Sequence, residues 1–127
     1  IVMVLLDFLL SIWPNPVSVI LKLNEKYQEL LQSETGAFRI PNHRFCKKLI
    51  DELKMPLVST SVNRTGSEPL NDPSQIIQEF SNEVDTIFYS DKKSFFAAST
   101  LIDLNKSEPV LVREGKIKFV ELMKKLN

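Results

Sequence analysis

Six positions carry side chains able to grip an anion: Thr35 and Arg39, then Ser61 and Asn63, then Ser99, then Arg113. Each lies where a stretch of strand character gives way to a loop. In an α/β sheet, ligands bind at such strand ends. The two guanidinium groups offer forked N–H donors that match a carboxylate or a phosphate. The short hydroxyl and amide groups add orientable hydrogen bonds. This set points to recognition of an anionic ligand, with no side chain placed to act as a nucleophile.

Other chemistries are excluded by what the chain contains. With only Gly36, Gly66 and Gly115, there is no Gly-rich phosphate loop of the P-loop or dinucleotide type. One cysteine, Cys46, and one histidine, His43, exclude an intramolecular disulfide framework, a multi-cysteine zinc site and a two-histidine metal centre. Cys46 reads as structural. His43 reads as a helix-start residue fixing the loop of Arg39, not as an acid–base catalyst.

The 127 residues suffice for one domain, and 43% hydrophobic with 25% charged residues allows a packed core. Sixteen basic side chains balance sixteen acidic ones, so no net basic field drives non-specific nucleic-acid binding. The apolar run Ile1–Trp13 is broken by Asp7 and Ser11. It is shorter than the ~18 residues of a membrane span and lacks a basic leader. A buried helix or strand is expected there, with no membrane and a cytoplasmic location. A chain opening on Ile1 with so apolar a stretch is expected to be a fragment or processed product whose packing partners lie upstream.

The elements that must position the polar groups follow from periodicity and punctuation. Pro14 and Pro16 end the first element. Val17, Val19, Leu21 and Leu23 alternate with Ser18, Ile20 and Lys22, predicting a strand. A short helix is expected over Glu25–Gln32 with Tyr27, Leu30 and Leu31 inward, then a strand from Gly36 to Ile40. Asn42 is the expected cap of a helix carrying Phe45, Leu49, Ile50 and Leu53 on one face. Leu57–Thr60 reads as a short buried strand and residues 61–72 as a polar loop. Asp72-Pro73-Ser74-Gln75 reads as a helix start with Ile76, Ile77 and Phe80 buried. Val84–Tyr89, Ser99–Leu104 and Pro109–Arg113 read as strands, and Ile117–Leu126 as a closing helix. Strands interleaved with helices give an α/β class with a mixed parallel and antiparallel sheet, and no linker divides the chain.

Five segments, in order, resemble the YrdC/TsaC family of threonylcarbamoyl-adenylate synthases. Ser59-Thr60-Ser61-Val62-Asn63-Arg64-Thr65-Gly66 is similar to that family's S/T-S-x-N-x-[ST]-G loop. Trp13-Pro14-Asn15-Pro16-Val17-Ser18-Val19 resembles W-P-G-P-[LV]-T-[LV], and Phe38-Arg39-Ile40-Pro41-Asn42-His43 resembles V-R-[VIM]-P-x-H. Ser99-Thr100-Leu101-Ile102-Asp103 resembles S-T-[IV]-[IV]-D, and Arg113-Glu114-Gly115-Lys116-Ile117 resembles R-x-G-x-I. The segments span Trp13 to Ile117.

The resemblance implies a twisted mixed sheet with flanking helices and a concave, electropositive cleft. It implies synthesis of L-threonylcarbamoyl-AMP from L-threonine, bicarbonate and ATP, with Mg²⁺, for the threonylcarbamoyladenosine modification of tRNA. It assigns Arg39, Ser61 and Ser99 to threonine and Thr35, Asn63 and Arg113 to ATP. The implied partners are tRNA or double-stranded RNA and the other proteins of that modification. Asn15 stands where the family has Gly, a bend Asn should tolerate, and Ser18 stands where it has Thr. The family's upstream Lys/Arg motif has no counterpart before Trp13, so the chain is expected to be the C-terminal portion of a single YrdC-like domain. An RNA-binding module on the same fold, a hydrogenase-maturation type of carbamoyl-transfer domain and a truncated inactive family member stay open as alternatives.

Overall fold

The structure, a computed structural model, describes residues 2–90 and 97–126. In chain order the elements are α1 (Val2–Ile12), β1 (Val17–Lys22), α2 (Glu25–Leu31), β2 (Thr35–Phe38), α3 (Arg44–Leu53), α4 (Pro73–Phe80), β3 (Thr100–Asp103), β4 (Val110–Arg113) and α5 (Phe119–Met123). The chain gathers into two compact units, Ile1–Met55 with Ala97–Asn127, and Pro56–Phe96.

The first unit holds a four-stranded sheet of order β2-β1-β3-β4. β1 pairs with β2 antiparallel and with β3 parallel, and β3 pairs with β4 antiparallel. The mixed α/β architecture is the expected one. Alternation along β1 buries Val17 and Val19, and Ile102 of β3 joins them on the same face. Phe8 and Ile12, one helical turn apart on α1, and Leu122 of α5 complete this core. Each such buried side chain contributes roughly 1.5–3 kcal/mol over an exposed one. The opening run is a helix from Val2 onward, but it buries only the face carrying Phe8 and Ile12 and leaves Val4, Leu6 and Leu10 exposed. The expected buried element is thus only partly buried, and Ile1 lies outside the described residues. No described helix is long and apolar enough to cross a membrane.

The bend after α1 contains a cis Trp13–Pro14 bond. Asn15 does not adopt a left-handed conformation there. Its Nδ2 instead donates to the Ile12 carbonyl at 3.0 Å, closing the end of α1. The Trp13 indole N–H donates to the Val17 carbonyl at 2.8 Å.

Several expectations meet a different outcome. Tyr27, Leu30 and Leu31 are exposed rather than inward. α2 is a short connection between paired strands, and Leu23 just before it takes the buried place. α3 begins one residue later than the capping chemistry suggests: His43, not Asn42, is its cap, without a side-chain bond. On α3 Leu49 and Ile50 are half-buried, while Phe45 and Leu53 are exposed. The closing helix is shorter than read, Phe119–Met123. Glu114 accepts from the Phe119 N–H and from Lys118, and these bonds hold its carboxyl below the usual range.

In the second unit Leu57–Thr60 and Val84–Tyr89 form no strand. Val58 is 91% exposed. β-branched runs become strands only when another strand and a core receive them. The helix start at Asp72 is as read: its carboxylate accepts from the Ser74 N–H at 2.8 Å, with Pro73 at the first helical position. Asp72→Ala is expected to cost this unit about 1 kcal/mol. Helicity of α4 followed by amide exchange checks it, and unchanged protection of residues 76–80 would count against the cap.

Candidate functional site

The face of the sheet opposite Val17 and Val19 carries the polar groups at one end. Alternation places Ser18 on this face, and its Oγ lies 2.9 Å from Ser99 Oγ, the residue just before β3. Ser99 is itself buried. Arg113, at the end of β4, donates from Nε to the Ser99 carbonyl at 3.2 Å. Its Nη2 donates to that carbonyl at 3.0 Å and to Ser99 Oγ at 3.2 Å. The remaining amino group, Nη1, has no partner among the described residues. Arg113 thus ties to Ser99.

Arg113 reaches this face through a β-bulge. Leu101 pairs with Arg113 and Ile102 with Leu111, leaving Val112 as the extra residue. Regular pairing would set Arg113 opposite Thr100, whose side chain lies on the core face. One inserted residue moves the guanidinium to the Ser99 side.

A second knot of bonds fixes the turn after Arg113. Thr100, fully buried, donates from Oγ1 to the Ile117 carbonyl and accepts from the Gly115 N–H at 3.0 Å. Lys116 N–H donates to the Ala98 carbonyl at 3.0 Å. Gly115 is required because its α-carbon sits against backbone: an added Cβ would lie 2.1 Å from the Ala98 oxygen.

β2 carries the other two candidates of this unit, at its opposite ends. Val19 pairs with Phe38 and Lys22 with Thr35. Arg39 directly follows Phe38, the last residue of β2, and so lies at the sheet end that also holds Ser18, Ser99 and Arg113. Thr35 is four residues away along the strand, roughly 13 Å by strand rise. Arg39, Ser18, Ser99 and Arg113 are therefore brought to one end of the sheet, and Thr35 is not. Ser18 was absent from the six positions read from sequence. Its place in the Trp13–Val19 segment, where the resembled pattern has Thr, is the signal that could have found it.

Ser61 and Asn63 belong to the second unit. Ser61 Oγ donates to Asn63 Oδ1 at 2.5 Å. Asn63 Nδ2 donates to the carbonyls of Arg64 at 3.0 Å and Ser67 at 3.1 Å. Val62 and Leu70 close the loop, the Leu70 N–H donating to the Val62 carbonyl at 2.8 Å. Gly66 has φ +81°, a conformation that favours glycine.

The donor set suits anions rather than a resident cation. Among the described residues no group of three or more His, Cys, Asp or Glu could hold a metal ion. Arg113, Ser99, Ser18 and Arg39 include no carboxylate, so a protein-held Mg²⁺ does not fit here. Cys46 is half-buried and free.

The Sua5/YciO/YrdC family model, described as telomere recombination, matches residues 4–115. The chain belongs to this family. The family match spans both compact units. A threonylcarbamoyl-AMP synthase of Pyrococcus abyssi is 27% identical over 114 residues, covering 88% of this chain and 34% of that protein. One of Idiomarina loihiensis is 40% identical over 80 residues, covering 61% of this chain and 43% of the relative. The crystal structure of Pyrococcus abyssi Sua5 complexed with L-threonine superposes with a TM-score of 0.79 at 27% identity, over 89% of this chain and 34% of that one. The chain thus spans about a third to a half of the length of these Sua5/YciO/YrdC proteins, and shares their fold.

Proposed function

We propose that this chain carries the C-terminal portion of a YrdC-like domain of an L-threonylcarbamoyladenylate synthase. Threonine, bicarbonate and ATP enter; the threonine amine condenses with bicarbonate to N-carboxythreonine with loss of water, and threonylcarbamoyl-AMP, pyrophosphate and that water leave. The observation that carries the reading is the convergence of Arg39, Ser18, Ser99 and Arg113 on one sheet end in a chain similar to a threonine-bound Sua5.

In this reading Arg39 grips the threonine carboxylate, and Ser61 and Ser99 line the amino-acid side. Arg113 serves ATP, as does Asn63, and Thr35, at the far end of β2 and outside the cluster, would meet only a distant part of the nucleotide. The carbamate oxygen of N-carboxythreonine attacks the α-phosphorus, a new P–O bond forms, and the bond to the β-phosphate oxygen breaks. Pyrophosphate carries away the electron pair. No protein nucleophile takes part, so the protein's contribution is positioning and neutralising phosphate charge. Mg²⁺ belongs to this scheme as part of the nucleotide substrate, held by phosphate oxygens. Asn63 acts mainly by shaping its loop, since both its N–H donors are engaged within it. The product serves tRNA threonylcarbamoylation in the cytoplasm, with tRNA and the proteins of that modification as partners.

The deciding experiment is pyrophosphate release from ATP by the intact gene product. Release that requires both threonine and bicarbonate supports the assignment. Release indifferent to threonine removes it. Arg39→Ala is expected to weaken threonine binding about 10- to 150-fold, as for loss of a charge-assisted hydrogen bond of ~1.5–3 kcal/mol. Calorimetric titration reads this, and an unchanged affinity takes Arg39 out of the site.

A further inference from the structure

Arg64 occupies a position that the motif Ser59–Gly66 leaves open to any residue. Its side chain is nonetheless bonded to two carboxylates and stacked on an aromatic ring. Nε donates to Glu79 Oε1 at 3.1 Å and Nη1 to Glu83 Oε2 at 2.9 Å, while Nη2 bonds Glu83 Oε1. The guanidinium carbon lies 4.6 Å from the centre of the Phe80 ring. Glu79 and Phe80 close α4, and Glu83 follows in a turn fixed by its N–H to the Phe80 carbonyl at 2.9 Å. Isolated surface ion pairs contribute little. A forked Arg bonded to two carboxylates and stacked on an aromatic ring is the geometry in which they count. The pairing holds the Glu83 carboxyl below its usual range and raises Arg64 further above its own.

The backbone of the same residue belongs to the loop. Arg64's carbonyl accepts from both Asn63 Nδ2 and the Ser67 N–H. Asn63 in turn accepts from Ser61. One residue therefore joins the Ser61–Gly66 loop, which is closed on itself, to the end of α4.

We infer that Arg64 is a positioning residue: clamped by Glu79, Glu83 and Phe80, it fixes the Ser61–Asn63 loop in the pose that receives the nucleotide. The inference rests on the synthase reading for its ligand. It adds that affinity for ATP is set in part by a salt-sensitive clamp formed outside the loop itself, on the end of α4.

The test uses the intact gene product with Arg64→Met, Arg64→Lys, and Glu79→Gln with Glu83→Gln. Arg64→Met and the double Gln variant should each raise KM for ATP about 3- to 10-fold, with kcat within about 2-fold, as loss of a surface network allows. Arg64→Lys, which keeps the charge and loses the fork, should fall between them and the wild type. Combining all three substitutions should do no more than either set alone, because one interaction is removed twice. Raising salt should shrink the difference from wild type. An unchanged KM in both sets, or effects that multiply on combination, overturns the inference. Amide exchange over residues 62–67 separates this from failure of the synthase reading. It should accelerate at least about 3-fold in both sets even if no threonine-dependent release is found. Unaltered exchange overturns the clamp itself.

Discussion

Replacing Gly115 with alanine is expected to destabilise the protein by about 3 kcal/mol, the upper end of ordinary overpacking. The added carbon would meet the Ala98 oxygen at 2.1 Å, the Ser99 carbonyl carbon at 2.5 Å and the Ser99 oxygen at 2.7 Å. All three are main-chain atoms, so no side chain can swing aside. Relief requires the 113–117 turn to withdraw from the start of β3. That withdrawal also stretches the bond from the Gly115 N–H to Thr100 Oγ1 and the bonds from Arg113 to Ser99. Stability and activity should therefore fall together. Thermal unfolding reads the first as a drop in midpoint on the order of 10 °C. A midpoint within 2 °C of wild type would show that the close approach does not exist in solution.

Arg113→Ala should lower kcat/KM for ATP about 10²- to 10³-fold, the range seen when a fixed donor to developing charge is removed. Two of the guanidinium nitrogens are held by Ser99, which fixes the group at the sheet end shared with Ser18 and Arg39. Arg113→Lys restores the charge without the fork and should remain at least about tenfold impaired. Steady-state pyrophosphate release at varied ATP measures both. Loss below threefold in the alanine variant would remove Arg113 from the nucleotide site. The side chain is exposed, so the fold itself should tolerate the change.

Much of the scaffold could be read from local chemistry. The Val17–Lys22 alternation and the Asp72-Pro73 helix start depend on neighbours a few residues away, and they stand as read, whereas Ile76, Ile77 and Phe80, read as buried, are only half-buried. What escaped depends on distant partners. Leu57–Thr60 and Val84–Tyr89 have strand composition, but composition does not supply a pairing edge. The orientation of Arg113 follows from a bulge at Val112, and no alternation pattern in four residues reveals an extra one. The grouping of Arg39 with Ser18, Ser99 and Arg113, and the distance of Thr35 from it, is a matter of register, which only the paired sheet fixes.

The contact between Ser18 and Ser99 joins residues 81 positions apart. Closing a chain of that length costs roughly 4 kcal/mol in entropy alone, and parallel pairing of distant strands is a slow event in folding. β1 and β2, separated only by α2, can meet early and cheaply. On the synthase reading, the grip on an anion cannot exist at that stage, because half its proposed donors arrive with β3 and β4. Ligand affinity is on that reading a late-forming property, present only after the long-range ladder has zipped, with nascent or partly folded chains blind to substrate.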